Sequence, residues 1–223
     1  MGDKMIKYKF LILIILMISI FTFNKVFANN LELNGKIIYV DPGHGGLDPG
    51  AIYKNVEEAP INLEISKKLV KALINKGATV FMTRYSDNDL SLPNASNHKK
   101  SDLNQRIKLI NESNCDLYLS IHLNADSSEN WKGAQVFYDD INEKNIKIAT
   151  KIQKEFSKNL KSNRKVKEIN DLYLYRKVKV PGVLLEVGFL SNSSERYMLK
   201  QDSYQEKIVN SIVNGVINYY NIP

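Results

Sequence analysis

Two of the three histidines in this 223-residue chain stand where chemistry can be done. His44 lies in VDPGHGGLDPGA, between two Asp-Pro-Gly turns and among glycines. Proline fixes φ and glycine takes φ > 0, so each Asp-Pro-Gly suits a tight turn. The glycines leave the imidazole beside nearly bare backbone. His122 lies in LYLSIHLNAD, where strand alternation puts Ser120, His122 and Asn124 on one face and Leu119, Ile121 and Leu123 on the other. His98 sits in the polar stretch PNASNHKKS and is expected in solvent. Two imidazoles need a carboxylate to make an open zinc site with a fourth position for water, and NVEEAPINL offers Glu57 and Glu58 at the mouth of a helix. Glu186 interrupts the apolar run in PGVLLEVGFLSN, which carries a desolvation penalty unless the charge is paired or bound. A metal hydrolase needs such a group to take a proton from water and return it to the leaving amine, while zinc lowers the pKa of its water toward about 7. Taken singly, each has a plainer explanation: a satisfied strand histidine, an acidic residue favoured at a helix N-terminus, a salt-bridged core glutamate.

The elements that must position these groups alternate along the chain. KIIYV (36–40) reads as a strand, and PINLEISKKLVKALINKG (60–77) as a helix with Ile61, Ile65, Leu69 and Leu73 every fourth residue, Pro60 near its first turn and Gly77 as its stop. ATVFMT (78–83) is the next strand. A polar loop leads to a helix in which Leu103, Ile107 and Ile110 share a face. Strands are expected at 116–124, 133–139, 171–176 (DLYLYR) and 182–189, with helices over roughly 143–160 and around Ile208, Ile212 and Val216. This order predicts an α/β fold: a single domain with a mostly parallel six-stranded sheet flanked by helices. In such sheets sites lie beyond the carboxyl ends of the strands, and His44 is just past one.

The chain resembles the zinc-dependent N-acetylmuramoyl-L-alanine amidases from Lys36 to its C-terminus. VDPGHGGLDPGA, VEEAPINLEISKKL, VFMTR, DLNQRIKLINESNCDLYLSIHLNAD and PGVLLEVGFLSN occur in the family's order. Any one of these is weak; five in order are specific. The resemblance implies His44, Glu58 and His122 as zinc ligands, with Glu57 as the fallback carboxylate, and Glu186 as the catalytic acid/base. Pro60 departs from the acidic residue often found there. Arg106 and Arg176 match recurring family arginines and, with Asn124, are expected substrate contacts; for both arginines a structural salt bridge is the alternative. The long loop before DLNQR and the phrase INESNCDLYLSIHLNA are similar to the spore-cortex, germination-specific amidases that act in forming muramic-δ-lactam. The expected reaction is cleavage of the amide joining the lactyl group of N-acetylmuramic acid to L-alanine in peptidoglycan. A zinc peptidase cutting within the stem peptide and a non-catalytic wall-binding protein on the same fold are the rivals.

Composition agrees with an extracytoplasmic hydrolase. Lys4, Lys7 and Lys9 precede the apolar run Phe10 to Phe23, and VFA ends at Ala28: a secretory signal or an N-terminal anchor over 1–28, with a short linker at 29–35 and the catalytic domain at 36–223. The apolar run is shorter than the roughly 20 residues that span a bilayer. The protein is therefore expected to be secreted or anchored, in a sporulating cell in the space around the developing spore, touching membrane only through that segment. The formal net charge of +7 includes +3 from residues 1–28 (four Lys minus Asp3), leaving about +4, which suits an anionic envelope and is no nucleic-acid signature. Cys115 is alone, so no disulfide staples the monomer, and a buried thiol is expected. Three protein ligands on loop-like supports leave room for an accessory protein that steadies the zinc; the sequence does not name it.

Overall fold

The computed structural model describes residues 9, 11–19 and 31–221. The expected secretory segment therefore lies largely outside the described residues; within it, residues 11–19 are helical. Among the described residues no helix is long and apolar enough to cross a membrane.

Eight strands and five helices follow one another from Ile37: β1 (Ile37–Pro42), β2 (Ile52–Tyr53), β3 (Val56–Glu57), α1 (Glu58–Asn75), β4 (Thr79–Met82), α2 (His98–Glu112), β5 (Leu117–Asn124), β6 (Gln135–Tyr138), α3 (Glu143–Asn159), β7 (Lys167–Glu168), β8 (Gly182–Phe189), α4 (Ser193–Leu199) and α5 (Asp202–Tyr220). The main sheet has six strands in the order β4-β1-β5-β8-β6-β7. β4, β1, β5 and β8 are parallel; β6 runs antiparallel to β8 and carries β7 at the edge. Strand alternation divides the core into two layers. Ile38, Val40, Leu117, Leu119, Ile121, Val183, Leu185 and Val187 face α1, α3 and α5, meeting Ile65, Leu69, Ile152, Phe156, Ile208 and Ile212. Tyr39, Tyr118 and Leu184 face the other way, onto Ile110 of α2 and Leu174, Tyr175 and Val178. At about 1.5–3 kcal/mol per fully buried large aliphatic side chain, this double layer fixes the strand ends firmly.

The expected strand at 171–176 is not one. Backbone bonds from Arg176 N to Leu172 O and from Val178 N to Leu174 O wind this segment into successive turns, burying Leu174 and Tyr175 against the sheet. The sixth strand is the polar pair Lys167–Glu168 instead. Two further elements were not anticipated. β2 and β3 form a ribbon around Lys54 and Asn55, both at positive φ, as a two-residue hairpin turn of the primed type requires. α4 is capped by Asn192, whose side chain accepts from Glu195 N at 3.1 Å. Residues 31–35, expected as linker, form a turn docked through the fully buried Leu33, whose N–H donates to Lys76 O at 2.8 Å. Cys115 is buried and unpaired, and burial pushes its thiol pKa up.

Candidate metal and catalytic site

The site forms where β1, β5 and β8 end and α1 begins. After Pro42, Gly43 N donates to Ile121 O at 2.9 Å and extends the ladder by one residue. His44 then adopts φ 61°, in the left-handed region that strains a residue with a Cβ. Two buried arginines hold the loop there. Arg84 donates to the carbonyls of Pro42, Gly43, Ala59 and Ser86 at 2.9–3.0 Å. Arg106 donates to Pro42 O and His44 O, each at 2.7 Å, and pairs with Asp41 at 2.7 Å and Asp102 at 2.8 Å. Asp41 also accepts from Thr83 and Ser120. Burial works against the Asp41 charge, but Arg106 outweighs it and holds the carboxyl below the usual range. Burial, reinforced by the neighbouring Arg106 charge, pulls Arg84 down to about 10.

On this floor three side chains converge. His44, Glu58 and His122 each offer one ligand atom, all within 4.8 Å of one another. Glu58, the first residue of α1, lies between the imidazoles: Oε2 is 3.3 Å from His44 Nε2 and Oε1 is 3.0 Å from His122 Nδ1. Its oxygens also accept from Ala51 N, Leu123 N and Asn62 Nδ2 at 2.9–3.0 Å. Burial opposes its charge, yet the two imidazoles hold the carboxyl well below the usual carboxylate range. Asp48, from the second Asp-Pro-Gly, lies 2.9 Å from His44 Nδ1 and so fixes the ring's orientation. Burial alone would lower the His44 pKa, but Glu58 and Asp48 raise it to about 9. The space around these groups depends on two glycines. A Cβ on Gly43 would stand 2.2 Å from the His122 ring, and one on Gly50 2.7 Å from Glu58 Oε2 and from His44 Cδ2.

The parallel register sets Glu186 beside His122. Its Oε2 is buried without a hydrogen-bond partner, and burial together with the Glu58 charge raises its pKa to about 8. An orphaned carboxylate oxygen next to two imidazoles and an acidic carboxylate fits a bound divalent cation. His44, His122 and Glu186 border one cavity of about 260 Å³, with Leu103, Tyr173 and Leu184 on its walls, and the buried Glu58 lies behind the two imidazoles.

The expected residues divide accordingly. His44, Glu58, His122 and Glu186 come together; the fallback Glu57 is exposed in β3, facing away. Arg106 borders the cleft, but its guanidinium is spent on the loop and on Asp41 and Asp102. Arg176 is exposed, pairs with Asp140 at 3.0 Å and does not line the cavity. Asn124 follows a register shift at the end of β5, and it too lies outside the cavity wall. Asp48, Asn62 and Arg84, which hold the converging side chains, were not singled out from the sequence. Asp48 had a signal, as the acid of the second turn motif.

Comparison with known proteins agrees with this arrangement. The family model described as N-acetylmuramoyl-L-alanine amidase matches residues 38–218. The germination-specific N-acetylmuramoyl-L-alanine amidase of Bacillus subtilis (strain 168) is 45% identical over 214 residues, 91% of this chain and 90% of the relative. The CwlD amidase from Clostridioides difficile, solved in complex with the GerS lipoprotein, superposes with a TM-score of 0.80 at 36% identity, covering 83% of this chain and 98% of that one. An N-acetylmuramoyl-L-alanine amidase from Clostridium difficile 630 gives a TM-score of 0.74 at 31% identity, covering 83% and 97%. The chain belongs to the N-acetylmuramoyl-L-alanine amidase family.

Proposed function

We propose that this protein is a zinc-dependent N-acetylmuramoyl-L-alanine amidase that removes the stem peptide from muramic acid in peptidoglycan, in the maturation of spore cortex. The observation that carries the reading is the convergence of His44, Glu58 and His122 within 4.8 Å, beside the unpartnered Oε2 of Glu186. His44, Glu58 and His122 would hold zinc, and Asp48, Asn62 and the Leu123 N–H would keep two of those ligands in place. When bound, the metal supplies Lewis acidity to the amide carbonyl and acidity to water.

The chain's own groups do the rest. Glu186 takes a proton from the attacking water as a bond forms to the carbonyl carbon. It returns that proton to the nitrogen of L-alanine as the C–N bond breaks, leaving a lactyl carboxylate and a free peptide amine. Burial and the Glu58 charge raise the Glu186 pKa, which makes its ionised carboxylate a stronger proton acceptor for this shuttle. The glycines around His44 leave backbone bare, so a bulky glycan–peptide strand can approach the floor.

The cortex role is supported by the germination-specific relative, and action outside the cytoplasm by the basic-then-apolar N-terminus. The Clostridioides difficile neighbour was solved with a lipoprotein partner; we read the three-ligand site here as equally open to support by an accessory protein. The test is Glu186→Gln. It should retain zinc and lose turnover by about 10²- to 10⁴-fold, measured as release of intact stem peptides by mass analysis of digested peptidoglycan. Undiminished turnover, or cuts within the stem, overturns the assignment.

A further inference from the structure

The catalytic cavity does not end at the metal cluster. Lys99, Leu103 and Tyr173 form its far wall and also line a shallower depression of about 360 Å³ that continues past Lys100. One groove therefore runs from His44 and Glu186 out along the start of α2 and the 172–177 turns. Its two ends differ in how their charges are met. At the inner end acidic and basic groups are interleaved: Asp41 and Asp102 are held by Arg106, Asp48 is held by His44, and His122 stands beside Glu186. At the outer end stand Lys99, Lys100 and Lys177, none of which forms an ion pair among the described residues. Lys177 lines neither cavity but stands against their shared wall, its Nζ 4.2 Å from the centre of the Tyr173 ring and donating to the Tyr173 hydroxyl at 2.9 Å. Tyr173 in turn donates to Asn104 Oδ1 at 2.9 Å, tying the rim to α2.

We propose that Lys99, Lys100 and Lys177 form a cationic shelf that receives the free carboxylates of the substrate's peptide arm and so sets its direction in the groove. The inference rests on the amidase reading above. In a stem peptide the D-glutamate is joined through its γ-carboxyl, which leaves its α-carboxylate free, and further carboxylates follow along the stem. The N-acetylated sugars on the other side of the scissile amide are neutral. The glutamate is the second residue of the stem, so its carboxylate lies within about 7 Å of the L-alanine nitrogen along an extended chain. A groove whose aspartates are met by basic partners at the reacting end, and whose ammonium groups without an ion pair lie beyond it, matches a substrate whose negative charge lies on one side of the bond to be broken.

The experiment uses the full protein loaded with zinc and two soluble, uncross-linked peptidoglycan strands. One has the D-glutamate α-carboxylate free; the other is amidated there. Binding is followed by fluorescence anisotropy of end-labelled strands, and kcat and KM by released peptide amine. The wild type should favour the free-acid strand by roughly five- to tenfold in both binding and kcat/KM, the contrast lying in KM, as a few exposed ion pairs supply. In K99Q/K100Q/K177Q, and in wild type at 0.5 M salt, the ratio should fall to near one. A wild-type ratio of one, or a ratio that survives the triple substitution, overturns the shelf. If neither strand is cleaved the amidase reading fails, and the binding ratio still decides the shelf.

Discussion

The floor under His44 and the groove above it are built from the same kinds of polar group, used in opposite ways. In the floor, Arg84 and Arg106 are buried and their guanidinium groups are met by loop carbonyls and by Asp41 and Asp102. In the groove, Glu186 Oε2 has no hydrogen-bond partner, and Lys99 and Lys100 form no ion pair among the described residues. Buried polar groups cost stability when left unpaired, so a satisfied network is a device for holding geometry. An unsatisfied one marks a place completed by something else. Substitutions in the floor should therefore lower stability and activity together, whereas those in the groove should lower activity without a loss of stability.

The sharpest way to break that contrast is Arg106→Met. It strands Asp41 and Asp102 and releases His44 from a strained φ, and should cost about 3–5 kcal/mol in chemical denaturation, as breaking buried ion pairs does. A variant that melts like the wild type would show that the floor is not what holds the loop. Next in size is Asp48→Asn. It keeps the shape of the turn but weakens the partner of His44 Nδ1, and should reduce zinc affinity by about 10- to 100-fold in a competition titration with little change in the melting temperature of the metal-free protein. Equal affinity would remove Asp48 from the metal's support.

A last effect, read as a trend and not as a single loss, concerns pH. In the metal-free protein Glu186 is raised from 4.5 to about 8. A carboxyl raised on folding contributes stability that is whole below its unfolded pKa and is lost as pH climbs through the folded one. Glu186→Gln removes that loss, so its melting temperature should gain on the wild type as pH climbs from about 5 to about 8.5. A difference that does not vary with pH would mean that the carboxyl is not held proton-bearing by its surroundings.

Much of this was legible in the sequence because the two layers of core obey strand alternation. Ser120 and His122 share a face as the pattern of LYLSIHLN requires, and His44 follows a strand end. The choice between Glu57 and Glu58 was not legible. At a helix start a single residue's shift turns a side chain from solvent to core, and what selects Glu58 is the distant N–H groups of Ala51 and Leu123. DLYLYR was misread because two consecutive turns bury Leu174 and Tyr175 as well as an alternating strand would, while the real edge strand, Lys167–Glu168, has no apolar side chain to announce it. Arg106 was seen but not its partners, since Asp41 lies 65 residues away.

Leu33, pinned by the carbonyl of Lys76 at the tail of α1, has an orienting consequence. The polypeptide enters the domain at the amino ends of the parallel strands, and catalysis belongs at their carboxyl ends, about 20 Å away across the six residues of β1. Leu31 therefore lies at the end of the parallel strands opposite the mouth of the site, so the path of the chain into the domain does not crowd the cleft.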